Sequence, residues 1–295
     1  MAVRSRPAWF DEKLFPVTSS WMDLDGHSLH YVDSGTGPVL LMLHGNPTWS
    51  FLYRRMIAAL SHRFRCIALD YPGFGLSIAA PGYSFRVAEH SDVVRRFVEA
   101  LELVDVTAVV QDWGGPIGMG AAVADPDRYS GFVIGNTYAW PSLPLDKAIV
   151  SELMGNQVIG GLLNKRLNLF VAGKLPFMMH RSLTDAEKAM YAGPFPTAQS
   201  REPARVLPRE IRKARPFLAR VEAALPAVAA RPTLLVWGDA DIAFKEPDRR
   251  RWQQVLTRRR DHTLHGAGHF WQDDSGEEAA EAICRWFDED RAGEL

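Results

Sequence analysis

The feature that most constrains the fold is an apolar run that is followed at once by small residues. Residues 106–110 have the apolar, β-branched composition of a buried strand, and residues 111–115 read Gln-Asp-Trp-Gly-Gly. Glycines at these positions allow a sharp turn into a helix that packs closely on the strand. The sequence therefore predicts a strand, a tight turn and a helix, with Asp112 at the turn.

Short apolar runs alternate with helical periodicity along much of the chain. This alternation predicts an α/β fold with a mainly parallel sheet flanked by helices. The first two runs flank Asp25-Gly26, a two-residue turn signal, and are predicted to form a hairpin. Strands are predicted at residues 21–24, 28–33, 39–43, 65–69, 106–111, 131–135, 233–237 and 262–264.

The strand signal disappears between residues 137 and 225. Glycine, proline and amphipathic helical stretches such as residues 185–191 take its place. We therefore expect a core domain formed by residues 1–136 and 226–295, with an inserted helical cap at 137–225. Such a cap would cover the carboxyl ends of the strands, where open α/β sheets bind ligands. Its candidate pocket walls, which fit ordinary core packing equally well, are Phe170, Phe177, Met178 and Met179.

Composition sets broad limits on location and partners. The chain has 295 residues, 47% of them hydrophobic, so it can bury a large core. Its net charge of −1 gives no reason to expect nucleic acid or a membrane surface as a partner. Cys66 and Cys284 are expected to be core thiols, and no signal peptide or membrane span is evident. We therefore expect a cytoplasmic protein, whose oligomeric state the sequence leaves open.

Asp112 supplies a carboxylate at a turn that suits a nucleophile. An ionised carboxylate needs no base to become a nucleophile, and it can displace a leaving group from a saturated carbon. The product would be an alkyl ester of Asp112. Asp112 could instead be only a helix N-cap, with Pro116 in the first turn, but a cap does not require the Trp-Gly-Gly that follows. No Gly-x-Ser-x-Gly segment supports a serine hydrolase.

A histidine and an acid fit the same site. His269 lies on a glycine-rich loop after the last predicted strand, so the order nucleophile, acid, histidine is met. Asp239 and Asp241 both follow the strand at 233–237; one is expected to cap the turn, and we choose Asp241 as the acid. The other available strand end carries Asn136, whose neutral amide cannot stabilise imidazolium as an anion does.

A polar turn follows the strand predicted at residues 39–43. Residues 44–47 read His-Gly-Asn-Pro, and Asn-Pro alone favours a turn. Backbone N–H groups there could form half of an oxyanion hole, with the N–H after the nucleophile as the other half. Asn46 and Trp113 also carry side-chain N–H donors without acidic protons, which suit a departing anion. The sequence has no metal-binding spacing, such as His-Glu-x-x-His.

Together these segments resemble the haloalkane dehalogenases of the α/β-hydrolase superfamily. The resemblance implies that Asp112 displaces halide and that water then hydrolyses the ester, with His269 as base and Asp241 as its partner. It also implies a small apolar halogenated substrate, water as the second reactant and no cofactor. The matching segments are residues 44–50, 111–115, 238–241 and 268–274.

The resemblance also identifies the expected halide donors. Family members use the tryptophan after the nucleophile, together with a second tryptophan from the cap or the asparagine of the His-Gly-Asn-Pro turn. No tryptophan lies between Trp140 and Trp237 in this chain. The resemblance therefore implies halide binding by the side chains of Asn46 and Trp113, whose backbone N–H groups would hold the oxyanion.

Two alternatives stay open. An epoxide hydrolase uses the same aspartate, histidine and acid, but it provides two cap tyrosines for the alkoxide; Tyr138 and Tyr191 lack a recognisable context for that role. A non-catalytic α/β-hydrolase scaffold for ligand binding is the other, since a fold alone does not establish activity. The presence of Asp112, Asp241 and His269 together argues against it.

Overall fold

The computed structural model describes residues 6–141 and 178–290. Within them, the strands, numbered β1 to β8 in chain order, are Ser19–Leu24, His27–Ser34, Val39–Leu43, Arg65–Leu69, Val106–Asp112, Tyr129–Thr137, Thr233–Gly238 and Arg259–Leu264. They form one eight-stranded sheet in the order β1-β2-β4-β3-β5-β6-β7-β8. The helices of the same residues, numbered α1 to α9, are Arg54–Leu60, Val87–Ala100, Gly114–Ala124, Asp185–Ala192, Glu202–Lys213, Arg215–Ala224, Glu246–Val255, Trp271–Asp274 and Gly276–Asp290.

The first two strands form an antiparallel hairpin at one edge of the sheet. Their register pairs Leu24 with His27, which leaves Asp25 and Gly26 as a two-residue turn. Both turn residues have positive φ, 53° and 80°, which is the backbone that tight hairpins need and that Asp-Gly adopts readily. The predicted hairpin is confirmed.

The rest of the sheet is parallel, and its carboxyl ends form one edge. β2 pairs antiparallel with β4, whereas β3 pairs parallel with both β4 and β5. β5, β6, β7 and β8 then continue the sheet as parallel neighbours. This order brings the ends of β3, β5, β6 and β7 close together, and ligands of open α/β sheets bind at that edge.

Helices cover both faces of the sheet, so alternate residues of the central strands enter different apolar clusters. On β3, Leu41 and Leu43 join the cluster that includes residues of α2 and α3. Leu40 and Met42 point the other way and join the cluster that includes residues of α1 and α9. Burial on both faces explains why these strands appear in the sequence as nearly continuous apolar runs.

The eight predicted strands and the α/β fold class are confirmed. Helices α4, α5 and α6 lie between β6 and β7, and residues 178–225 contain no strand in the structure. Phe170 and Phe177 lie outside the described residues. The division into a core and a cap at 137–225 therefore stays a prediction.

The two cysteines are free thiols in the structure. Cys66 is buried on β4, and its burial raises the pKa of the thiol to about 12, which makes it a poor nucleophile. Cys284 on α9 is partly exposed. Among the described helices, none has both the length and the apolar composition needed to cross a bilayer.

Candidate active site

Asp112 is the last residue of β5 and stands at the turn into α3. Its φ of 49° places it in the left-handed region, which is uncommon outside glycine and marks a tightly constrained backbone. A Cβ on Gly114 would lie 2.0 Å from the carbonyl oxygen of Leu43, and one on Gly115 would lie 1.9 Å from Thr137 Oγ1. The two glycines therefore let α3 start against the neighbouring strands.

The Asp112 carboxylate does not cap α3. The helix begins at Gly114 with Trp113 in the capping position and no side-chain cap hydrogen bond. Oδ1 of Asp112 instead accepts a hydrogen bond from the backbone N–H of Asn46, at 2.8 Å. The carboxylate is thus held across the sheet edge by the turn after β3, and its side chain keeps 13% exposure.

His269 lies between two carboxylates. Its Nε2 is 3.5 Å from Asp112 Oδ2, and its Nδ1 is 3.0 Å from Asp241 Oδ2. The imidazole is almost fully buried, with 1% of its side chain exposed. Three residues that are widely separated along the chain therefore lie in contact as carboxylate, imidazole and carboxylate, an arrangement that suits a nucleophile, a base and an acid.

The choice between the two loop acids is decided by geometry. Asp241 is buried, and its Oδ1 accepts the N–H of Ala243 at 2.6 Å, while its Oδ2 faces His269. Asp239 instead contacts His265 and the N–H of Gly266 at the surface, at 2.8 and 2.7 Å. The structure brings Asp241, and not Asp239, to the imidazole.

The protonation state of His269 follows from its neighbours. Burial by itself lowers the pKa of a histidine because it disfavours the charged ring. The carboxylates of Asp241 and Asp112 outweigh that effect and raise the pKa of His269 to about 10. The two carboxylates therefore favour the protonated form of His269 in the resting site.

Among the described residues, one of the two N–H donors of the Asn46 side chain is engaged and the other has no partner. Its Nδ2 donates to the carbonyl oxygen of Ala204 on α5, at 3.1 Å. A primary amide carries two N–H donors, so the second can still serve a ligand. Asn46 is 5% exposed and Trp113 also 5% exposed, which places both at a largely dry site.

His44 lies behind the same turn as a neutral ring. Its Nδ1 is 2.9 Å from the carbonyl oxygen of Gly45, and its Nε2 is 3.3 Å from the N–H of Tyr71. A carbonyl only accepts and a backbone N–H only donates, so Nδ1 carries the proton. Burial lowers the pKa of His44 to about 4, so the ring fixes the Asn46 turn without bringing a second cation near Asp112.

Comparisons with known proteins agree with this arrangement. The family described as alpha/beta hydrolase fold matches residues 38–275. Haloalkane dehalogenase 2 of Mycobacterium tuberculosis is 40% identical to this chain over 285 residues, which cover 94% of this chain and 97% of that protein. This chain belongs to the haloalkane dehalogenase family.

Two further similar proteins differ in name. The solved structure of haloalkane dehalogenase DbeA from Bradyrhizobium elkani has a TM-score of 0.84 at 25% identity, and the match covers 92% of this chain and 98% of that one. A cis-3-alkyl-4-alkyloxetan-2-one decarboxylase of Xanthomonas campestris is 30% identical over 88% of this chain and 91% of that protein. This chain is thus also similar in sequence to an enzyme named for another substrate.

In this dehalogenase, polar residues that were not predicted as part of the site hold Asp112, Asp241 and His269. Asn136 donates from Nδ2 to Asp241 Oδ2 at 2.9 Å, and its Oδ1 accepts the N–H of Gly238 at 2.8 Å. From the sequence, Asn136 could be considered only as an alternative to Asp241 at another strand end. In the structure its amide holds the Asp241 carboxylate in place.

Two more residues support the dehalogenase site from the strand ends. Gln111 donates from Nε2 to the carbonyl oxygen of His269 at 2.9 Å, and Thr137 donates its hydroxyl to the carbonyl oxygen of Asp112. The His269 N–H donates in turn to the carbonyl oxygen of Met178, at 3.1 Å.

Within residues 6–141 and 178–290, no group of three or more acidic, histidine or cysteine side chains could hold a metal ion.

Proposed function

We propose that this protein hydrolyses haloalkanes to a primary alcohol, a halide ion and a proton through a covalent ester of Asp112. The observation that carries the proposal is the position of the Asp112 carboxylate, held by the Asn46 N–H at 2.8 Å and facing His269 Nε2 at 3.5 Å. Membership of the haloalkane dehalogenase family supports the substrate class. The reactants are a small apolar haloalkane and water.

The first step is an in-line displacement. Oδ2 of Asp112 attacks the carbon that bears the halogen, a carbon–oxygen bond forms, and the halide leaves with the electron pair of the carbon–halogen bond. Side-chain N–H groups of Asn46 and Trp113 would receive the halide. Neither donor carries an acidic proton, which matches a leaving group that needs hydrogen bonds and no protonation.

The second step uses His269 as a base. Ester formation removes the negative charge of Asp112, one of the two carboxylates that raise the pKa of His269. The imidazolium can then release its proton to solvent. Neutral His269 takes a proton from water, the hydroxide adds to the carboxyl carbon of Asp112, and the backbone N–H groups of Asn46 and Trp113 would hold the oxyanion. Breakdown of this intermediate releases the alcohol and restores the carboxylate.

The experiment that tests the proposal separates the two steps. Asp112→Ala is expected to abolish halide release from 1,2-dibromoethane. His269→Phe is expected to release about one equivalent of bromide and then to stop, with an alkyl adduct on Asp112 detected by mass spectrometry. Asp239→Asn, at the loop acid that does not reach the imidazole, serves as the matched control and should keep its activity. Near-normal turnover by Asp112→Ala would reject the nucleophile.

A second candidate substrate is a β-lactone, because a relative that is 30% identical is named as an oxetan-2-one decarboxylase. A substrate panel should therefore include a cis-3,4-dialkyl-oxetan-2-one, with carbon dioxide release as the measurement. Epoxide opening has less support, since the hydroxyl of Tyr191 already donates to Asp273 and is not available for an alkoxide. Carbon dioxide release without halide release would favour the lactone.

A further inference from the structure

Three consecutive residues at the carboxyl end of β6 each contact a different part of the proposed site. Asn136 donates to Asp241, and Thr137 donates to the Asp112 carbonyl oxygen. The ring of the next residue, Tyr138, packs edge-on against Trp113, with ring centroids 5.7 Å apart and planes at 67°. Thus Tyr138 reaches the indole that we propose as a halide donor.

Tyr138 also belongs to a row of rings that ends at the base. Its ring stacks on Phe244 with centroids 5.7 Å apart and planes at 23°. Phe244 in turn stacks on the imidazole of His269, again with centroids 5.7 Å apart. Contacts on both sides fix the phenol ring between the proposed halide donor and the base.

The hydroxyl of Tyr138 is buried without a hydrogen-bond partner in the structure. The residue is 2% exposed, and none of the described residues bonds to its hydroxyl oxygen. Buried hydroxyl groups are normally paired, because an unpaired one loses its hydrogen bonds to water without replacement. Tyr191, the other tyrosine considered from the sequence, is different, since its hydroxyl donates to Asp273.

We propose that the Tyr138 hydroxyl is a third donor to the leaving halide, beside the N–H groups of Trp113 and Asn46. This inference rests on the proposed dehalogenase function. Burial, the Asp112 carboxylate and Glu210 raise the pKa of Tyr138 well above its usual value, so the phenol keeps its proton and can donate. As a neutral donor, it would stabilise the departing anion without protonating it.

The test compares Tyr138, which directly follows β6, with Tyr129, the first residue of that strand. Tyr138→Phe removes only the hydroxyl and keeps the ring that packs on Trp113 and Phe244. Tyr129→Phe is the matched control, because Tyr129 begins β6 at the opposite end of the strand and its buried hydroxyl also has no partner among residues 6–141 and 178–290. Neither variant should lower Tm, since each removes an unpaired polar group.

Halide binding and the first chemical step should respond to Tyr138→Phe alone. We expect the Kd for bromide, measured by quenching of tryptophan fluorescence, to rise about tenfold, as for loss of a hydrogen bond to a charged group. The rate of the first bromide burst from 1-bromobutane should fall by a similar factor. Decay of the alkyl-enzyme should stay unchanged, because that step involves water and His269.

Three results would overturn the inference. Bromide affinity and burst rate within twofold of those of Tyr129→Phe would show that the hydroxyl does not reach the halide. A lower Tm with both chemical steps slowed equally would indicate a packing role. If the unsubstituted protein neither binds bromide nor releases halide from any haloalkane, the proposed function itself fails, and the inference fails with it.

Discussion

Replacing Asp241 by asparagine should slow hydrolysis of the ester far more than its formation. Asp241 Oδ2 lies 3.0 Å from His269 Nδ1 and is fully buried, so its charge acts on the imidazolium with little screening. Two unit charges about 4 Å apart interact by about 4 kcal/mol at an effective dielectric constant of about 20. Because about 1.4 kcal/mol corresponds to a factor of ten, hydrolysis should slow by roughly a thousandfold.

The local hydrogen bonds strengthen this expectation. Asp241 Oδ2 accepts from both His269 Nδ1 and Asn136 Nδ2. An asparagine at this position cannot accept from His269, Asn136 and the Ala243 N–H with one oxygen, so its NH₂ group would face a donor in either orientation. The pKa of His269 should fall, and the preferred tautomer and orientation of the ring should be lost.

Rapid-quench measurement of bromide from 1,2-dibromoethane checks the effect. Asp241→Asn should show a burst of about one equivalent at close to the normal rate, followed by slow turnover and an alkyl adduct on Asp112. The burst also reports that the site is folded. Asp239→Asn should turn over normally with no adduct. If Asp241→Asn turns over within tenfold of the unsubstituted protein and accumulates no ester, Asp241 is not the partner of the base.

Three further predictions concern stability and the turn from β5 into α3. Gly115→Ala should yield inactive or unfolded protein by activity and circular dichroism, because a Cβ would lie 1.9 Å from Thr137 Oγ1. Glu187→Gln should lower the free energy of unfolding in urea by about 3 kcal/mol, because it removes a buried carboxylate 2.6 Å from Arg54. His269 has a raised pKa, so its contribution to stability is complete below pH 6.5 and is lost as pH rises through about 10; His269→Phe should flatten this part of a pH-dependent unfolding curve.

Strand positions could be predicted where burial dominates the local sequence. β3 and β4 were predicted with the bounds observed, because all of their residues except Arg65 are apolar and all but the first residue of each strand are buried. β8 was predicted only in its last half. It lies at the sheet edge, and its first residues, Arg259, Arg260 and Asp261, are exposed, so they carry no apolar signal. Pairing with β7 extends this strand, and a pairing partner cannot be recognised from a short polar segment.

Residues of the proposed site could be predicted where the chemistry requires one residue type. Residues that hold other side chains in position were harder to predict. Asp112 and His269 stand in local patterns that are typical of a nucleophile and a base, the roles that we propose for them. Asn136 has no such pattern, because its contact with Asp241 joins positions 105 residues apart. Choosing Asp241 over Asp239 likewise depended on the expectation that one of the two caps the turn, since both follow the same strand and only the folded loop separates them.

In the proposed mechanism, a carboxylate nucleophile changes the pKa of the base in a way that a serine nucleophile would not. In the resting site, Asp112 is one of two carboxylates that raise the pKa of His269 to about 10, which favours the protonated ring over the neutral base. Alkylation makes Asp112 neutral and leaves Asp241 as the single anion beside the ring. The proton is then held less strongly at the stage when water must be activated. In this proposal, alkylation of Asp112 itself converts His269 from a protonated ring to a base, and no movement of the protein is needed for the change.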